Sequence, residues 1–399
     1  MIKAIALAIA VPTVLAGCGV GFLLGGGGST PRDDDPNATP PTAPEAAVVW
    51  SSLDWQGVSF EQPAKVSGEQ SDQVTAVAAG PGGFVAVGSN SDVMGYVGRI
   101  WVSADALDWR LVESPLLPDL ELVDVAASNE TFVAIGTRSL GNAFDDPVAL
   151  ILTSPDGSNW VEADAIPDAW ASSVAVGPDG FVIVLQSALG ETTSLAVSPD
   201  GSSWTPVPAG NLPPGAWVSG VAWANDSWIA AGSVGARAAA WRSTDGTTWV
   251  EEPLPASEPI EGLLDVSAYD VVPGRWATLV LGVERAPSCA EDDDWCPKFQ
   301  TGWSWTPQTG WARLPKATWI LNRGCCVDVY PAGDAGFLYY LGSDAMLSAD
   351  GWAWNGVKES AASEAFVRDV VVTEDRLVGV GWGPGTDLGG WFGSASINP

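Results

Sequence analysis

The chain has 399 residues, 48 acidic against 17 basic side chains and no histidine, for a formal net charge of −31. That balance excludes nucleic acid as a partner and excludes docking of the protein surface on anionic lipid headgroups. The missing histidine removes every Ser-His-Asp or Cys-His arrangement and every imidazole metal site, and no Gly-rich loop stands between a strand and a helix to hold a nucleotide phosphate.

The N-terminus carries Lys3, an apolar run from Ala4 to Leu15, and then Leu15-Ala16-Gly17-Cys18. This resembles a bacterial lipoprotein signal peptide over residues 1–17, which implies cleavage before Cys18, a diacylglycerol on its thiol and an extracytoplasmic protein anchored to the cell membrane. The apolar run continues to Leu24, so an uncleaved signal anchor is the alternative, with the same side of the membrane for the body. Residues 18–46 are rich in Gly, Pro and Asp without apolar periodicity, the composition of a solvated tether.

From Val48 onward, short β-rich segments alternate with Gly, Pro, Asp and Ser, which makes the class all-β. One string recurs. Ser198-Pro199-Asp200-Gly201-Ser202-Ser203-Trp204 returns at Ser154–Trp160, Ser243–Trp249 and Ser348–Trp354, with a variant at Ser103–Trp109 and worn copies ending at Trp311 and Trp55. Ser and Asp oxygens can accept backbone N–H groups in a tight turn, Gly supplies φ > 0, and Trp returns an apolar ring to the sheet. The closing tryptophans lie 43 to 62 residues apart, the length of a four-stranded propeller blade.

Two further strands precede each turn. The first of them aligns Val77, Val125, Val174, Val221, Val266, Val329 and Val370, each preceded by a small residue or aspartate: Ala76, Asp124, Ser173, Gly220, Asp265, Asp328 and Asp369. The last unit lacks its outer strand, and Leu53-Asp54-Trp55 parallels Leu107-Asp108-Trp109. An N-terminal strand therefore closes the last blade and removes the free sheet edges. The expectation is one seven-bladed β-propeller of four-stranded antiparallel blades over residues 47–399, a monomer.

The repeat resembles the Asp-box, or BNR, repeat of sialidase-like propellers, although it is one residue shorter than the usual S-x-D-x-G-x-x-W. In that family the box is a structural turn away from the active site, so the resemblance implies fold and no activity. A sialidase-like exo-glycosidase is the enzyme alternative. Arg138, Arg237, Arg285, Arg323 and Arg368 are candidates for an arginine triad, with Tyr330 on an inner strand, but no glutamate partner for the tyrosine is evident.

The polar candidates fall into three groups. Asp124, Asp265, Asp328 and Asp369 have two readings: small side chains required where seven strands converge, bonding nearby backbone N–H groups, or a carboxylate cluster holding a hard cation such as Ca²⁺. Glu121, Trp170, Trp217, Arg323, Phe366 and Arg368 are placed at the channel mouth, where they suit a glycan, a small molecule or a partner protein. Cys289, Cys296, Cys325 and Cys326 are an even number in an oxidising compartment. They form either two bridges between an insertion and the next inner strand or one local and one adjacent-residue bridge. The leading functional expectation is a non-catalytic binding or scaffolding module.

Overall fold

The structure is a computed structural model that describes residues 52–61, 73–92, 95–138, 146–188, 192–208, 211–212, 214–256, 265–285, 298–315, 328–341, 344–359, 366–373, 376–382 and 390–398. The signal segment, Cys18, the tether, the four remaining cysteines and Arg323 lie outside the described residues.

Seven four-stranded antiparallel blades surround a channel, each running from an inner strand outward. The inner strands are Gln73–Gly80, Leu120–Ala127, Ala169–Gly177, Ala216–Ala224, Asp265–Pro273, Val329–Pro331 and Phe366–Val372. They define blades one to seven. Apolar residues on both faces of the middle strands pack between blades. Val87 and Ile100 of blade one, for example, share a buried cluster with Leu122 and Phe132 of blade two. The cores therefore lie between neighbouring blades, and each blade depends on the next.

The repeated turn is built as its composition demands. Ser198 Oγ accepts the N–H of Gly201 at 2.8 Å, Asp200 Oδ1 accepts those of Ser202 and Ser203 at 2.8 and 3.1 Å, and Trp204 Nε1 donates to the Gly201 carbonyl at 3.2 Å. The boxes at Asp156 and Asp245 repeat the pair of N–H bonds to the carboxylate. These bonds hold the exposed carboxyls of Asp105, Asp200 and Asp245 below the usual range, and that of Asp156 at about 2.

The box glycine also sets the distance between blades. Gly157, at φ +72°, leaves no room for a Cβ, which would meet Val85 Cγ2 of the preceding blade at 2.5 Å, and Gly201 stands the same way against Val133. Blade one carries Ala106 in this place at φ +61°, fully buried beside Val378 and Val380 of blade seven.

Ser52–Gly57 closes blade seven, running antiparallel to Gly390–Asn398 with Trp55 opposite Ala395. The N-terminal segment does more than the sequence suggested. Ser52 and Leu53 also pair in parallel with Lys358 and Glu359 of blade six, and Ser59 and Phe60 pair in parallel with Asp108 and Trp109 of blade one. Trp101 Nε1 then donates to the Glu61 carbonyl at 3.0 Å. One segment thus covers the outer edges at three successive blades, where open edges would invite pairing with other chains.

Candidate functional site: the central channel and its carboxylates

Six inner strands share one irregularity, a register shift just before the small/Asp position, between Val74/Ala76, Leu122/Asp124, Ala171/Ser173, Val218/Gly220, Ala268/Asp270 and Val367/Asp369. A bulge of this kind re-aims a side chain, here at the point where the strands converge.

Blade five corrects the sequence alignment. Its carboxylate at the bulge is Asp270, followed by Val271, whereas Asp265 and Val266 open the same strand five residues earlier. The strand holds two Asp-Val pairs, and the bulge falls at the second. The second strand of that blade runs Thr278–Arg285. A signal for this was present: Ala76, Asp124, Ser173, Gly220 and Asp369 each stand eight residues before Phe84, Phe132, Phe181, Trp228 and Leu377, and that spacing selects Asp270 with Thr278.

The four channel carboxylates differ in their partners. Asp124 accepts the N–H of Val125 and, across to blade three, of Val174, both at 2.8 Å. Asp369 does the same for Val370 and for Val77 of blade one, again at 2.8 Å. Asp270 accepts only the N–H of Val271 at 2.7 Å, and Asp328 accepts no hydrogen bond among the described residues. Burial raises all four. Asp124 is pushed up to about 7 and Asp369 to about 8, with mutual repulsion adding to the effect. Asp270 reaches about 6, while the Arg368 guanidinium acts against burial at Asp328.

These residues line a cavity of about 450 Å³ that occupies the channel from the carboxylate layer to the C-terminal ends of the inner strands. That end carries the turns between first and second strands and, by the alternation of strand direction, the Asp-box turns. The walls are valine and alanine, with Trp223, Tyr330 and Arg368 among the larger groups. Trp223 stands edge-on to Trp228 at 5.3 Å, and the buried Tyr330 hydroxyl donates to the Val367 carbonyl at 3.0 Å.

Of the six residues assigned to the channel mouth, Arg368 lines this cavity. Glu121, Trp170 and Trp217 come three residues before the carboxylate layer, toward the opposite end of the channel, and are half-buried. The Glu121 carboxyl is raised by burial and in turn raises the Tyr96 hydroxyl. Phe366 opens the inner strand of blade seven, with its side chain outside the described residues, as is Arg323.

Among the described residues no three His, Cys, Asp or Glu side chains gather as a metal ion would require. The N–H bonds give Asp124 and Asp369 a backbone role. Nor do the described arginines converge. Arg138 donates to the Leu116 carbonyl at 2.9 Å, and Arg237 pairs with Glu251 at 2.6 Å. Arg368 is thus the one described arginine side chain of that set that shares the channel with Tyr330.

Sequence reasoning missed one buried ion pair. Arg313 on the outer strand of blade five reaches Glu284 and Thr301 beneath Trp303, and burial lowers its guanidinium to about 10.

No protein-family model matches the chain, and a search of curated proteins finds no match. Solved structures do resemble it. An alpha-L-arabinanase of Penicillium chrysogenum complexed with arabinobiose is 11% identical over 90% of this chain and 98% of its own, with a TM-score of 0.48. The Trypanosoma rangeli sialidase is 12% identical over 89% of this chain and 59% of its own, at a TM-score of 0.44. An alpha-L-arabinofuranosidase of Fusarium graminearum in complex with an iminosugar inhibitor is 10% identical over 84% and 98%, at 0.42. These neighbours are propeller glycoside hydrolases, a likeness of architecture on which no functional step rests.

Proposed function

We propose that the chain is a non-catalytic binding module, anchored through a lipid on Cys18 at the outer face of a cell membrane, whose ligand occupies the central channel. One observation carries the reading: the cavity of about 450 Å³ in the channel, apolar along its walls and polar at its inner end. That size and lining suit capture of a small ligand, and the few charged groups fix its orientation. Glu121, Trp170 and Trp217 are then at the other entrance, where half-buried aromatics of adjacent blades suit a glycan ring or a partner's side chain.

The glycosidase alternative draws on Tyr330, Arg368 and the acids of the same channel. Against it, the Tyr330 hydroxyl is occupied by a backbone carbonyl, and both oxygens of Asp124 and Asp369 are engaged with N–H groups. A general acid or nucleophile needs a free atom facing the scissile bond. The deciding experiment incubates the purified domain with sialosides and arabino-oligosaccharides and, separately, screens small ligands by tryptophan fluorescence. Saturable fluorescence changes without sugar release are expected. Release of sugar by wild type, lost on Tyr330→Phe, would replace the binding reading with the enzyme one.

A further inference from the structure

We infer that the channel receives a small organic cation, an amine or guanidinium on a short apolar body, held by Asp270 and Asp328. This rests on the channel being a ligand site, as proposed above.

The inference begins with what the backbone requires. Asp124 and Asp369 each serve their own valine N–H and that of the following blade, where Ser173 and Ala76 offer no carboxylate. In blades five, six and seven the acids are consecutive, and the Val370 N–H of blade seven is already served by its own Asp369. Asp328 therefore has no N–H of blade seven to hold, and it accepts none among the described residues. Asp270 keeps one oxygen unused. Both line the cavity, Asp270 half-buried and Asp328 exposed. Both carboxylates are reachable from the cavity and keep acceptor oxygens that no backbone N–H among the described residues uses. Here two adjacent blades present acceptors in excess of what holds the strands together, and they face an open volume.

Charge fixes the sign of the ligand. Four carboxylates line the cavity against one guanidinium, Arg368, whose field falls on Asp328. The other titratable groups nearby are Tyr330, bound to Val367, and Tyr339, whose hydroxyl is pushed up to about 12 by burial and by Asp328. Neither offers a positive charge, so an anion would meet net repulsion.

Shape separates an organic cation from a metal ion. Calcium takes six to eight oxygens, which the described acids do not bring together. An ammonium or guanidinium carries three to five N–H donors and is satisfied by two carboxylates. The remaining volume is walled by Val125, Val174, Val221, Val271 and Trp223, which gives an apolar body a place that a hydrated ion would leave empty.

The test is calorimetric titration of the folded domain with phenethylamine and agmatine, with phenylpropionate, benzyl alcohol and calcium chloride as comparisons. Wild type, Asp270→Asn, Asp328→Asn and Trp223→Ala are compared. Saturable binding is expected for the two amines alone, about 10-fold or more weaker in each Asn variant. It should strengthen from pH 5 to pH 8 as the acids ionise. Thermal melts of the Asn variants, expected close to wild type, separate lost binding from lost folding. Amine binding unchanged by both Asn variants, or saturable binding of only the neutral, anionic or metal probe, would overturn this inference and leave the binding module standing. Absence of any ligand across the wider fluorescence screen would instead sink the binding reading itself.

Discussion

Asp369 Oδ2 accepts the N–H of Val77 at 2.8 Å, across 292 residues of sequence and across the junction between the last blade and the first. Asp124 makes the equivalent bond to Val174 two junctions further on, between blades two and three. A buried carboxylate at the bulge is thus a strap between inner strands, placed where the next blade has none of its own. Asp369→Ala and Asp124→Ala each remove the acceptor of two part-buried N–H groups and should lower unfolding free energy by about 1–3 kcal/mol. Asp328→Ala, with no N–H to lose, should change it little. Urea unfolding at constant m-value checks this ranking, and an equal loss in all three would show that the strap is not the source.

Removal of residues 1–60 should be more damaging than its few lost pairs suggest. The deletion strips the outer strand from blade seven, and it uncovers the blade six edge at Lys358 and the blade one edge at Asp108 and Trp109. Exposed edges pair with other chains. The truncated protein should elute from a sizing column as oligomers or aggregate, while a truncation at residue 47 stays monomeric. A monomeric product with an unchanged melting temperature would deny the segment its closing role.

The seven blades were legible because turn chemistry is local. Ser, Asp, Gly and Trp at fixed offsets satisfy one another within seven residues, so the box at Asp200 could be read with no knowledge of its neighbours. Closure was legible for the same reason, since Trp55 sits in a damaged copy of that box. The column in blade five was not, because Asp265-Val266 and Asp270-Val271 are equally good strand sequences. Only the common distance to the second strand tells them apart. Which carboxylates are straps and which are spare depends on the next blade's residue, a relation between segments some 50 positions apart. That a cavity opens toward the C-terminal ends of the inner strands is set by packing among seven strands and has no local signature.

The box glycines make a sharper test of blade spacing. Gly157→Ala would place a Cβ at 2.5 Å from Val85 and hold alanine at φ +72°, so a loss of about 2 kcal/mol or more is expected. Ala106→Gly relieves a left-handed alanine at φ +61° but removes a fully buried methyl, two effects of about 1 kcal/mol each and of opposite sign. Its melting temperature should stay near that of wild type. A loss for Ala106→Gly as large as that for Gly157→Ala would show that the turn tolerates side chains there and that the spacing comes from elsewhere.

The pH dependence of stability should have its maximum on the acid side of the usual range of about pH 5–8. Asp124, Asp270 and Asp369 are raised to about 7, 6 and 8 by burial, so the folded state keeps protons that the unfolded chain releases above about pH 4. The folded state binds more protons through this window, and its contribution is present at low pH and lost as pH rises through 6 to 8. The box acids work in the other direction. Asp105, Asp156, Asp200 and Asp245 are lowered by backbone N–H bonds, so their contribution is present above about pH 4 and lost below it. The two sets together place maximum stability near pH 4–5. Melting temperature should therefore climb as pH falls from 8 to 5 and drop below about 4. In Asp124→Asn/Asp369→Asn the climb from pH 8 to 5 should flatten while the drop below 4 remains. A wild-type melting temperature that is flat or falling between pH 8 and 5 would show that burial does not hold protons on Asp124 and Asp369 in the folded protein.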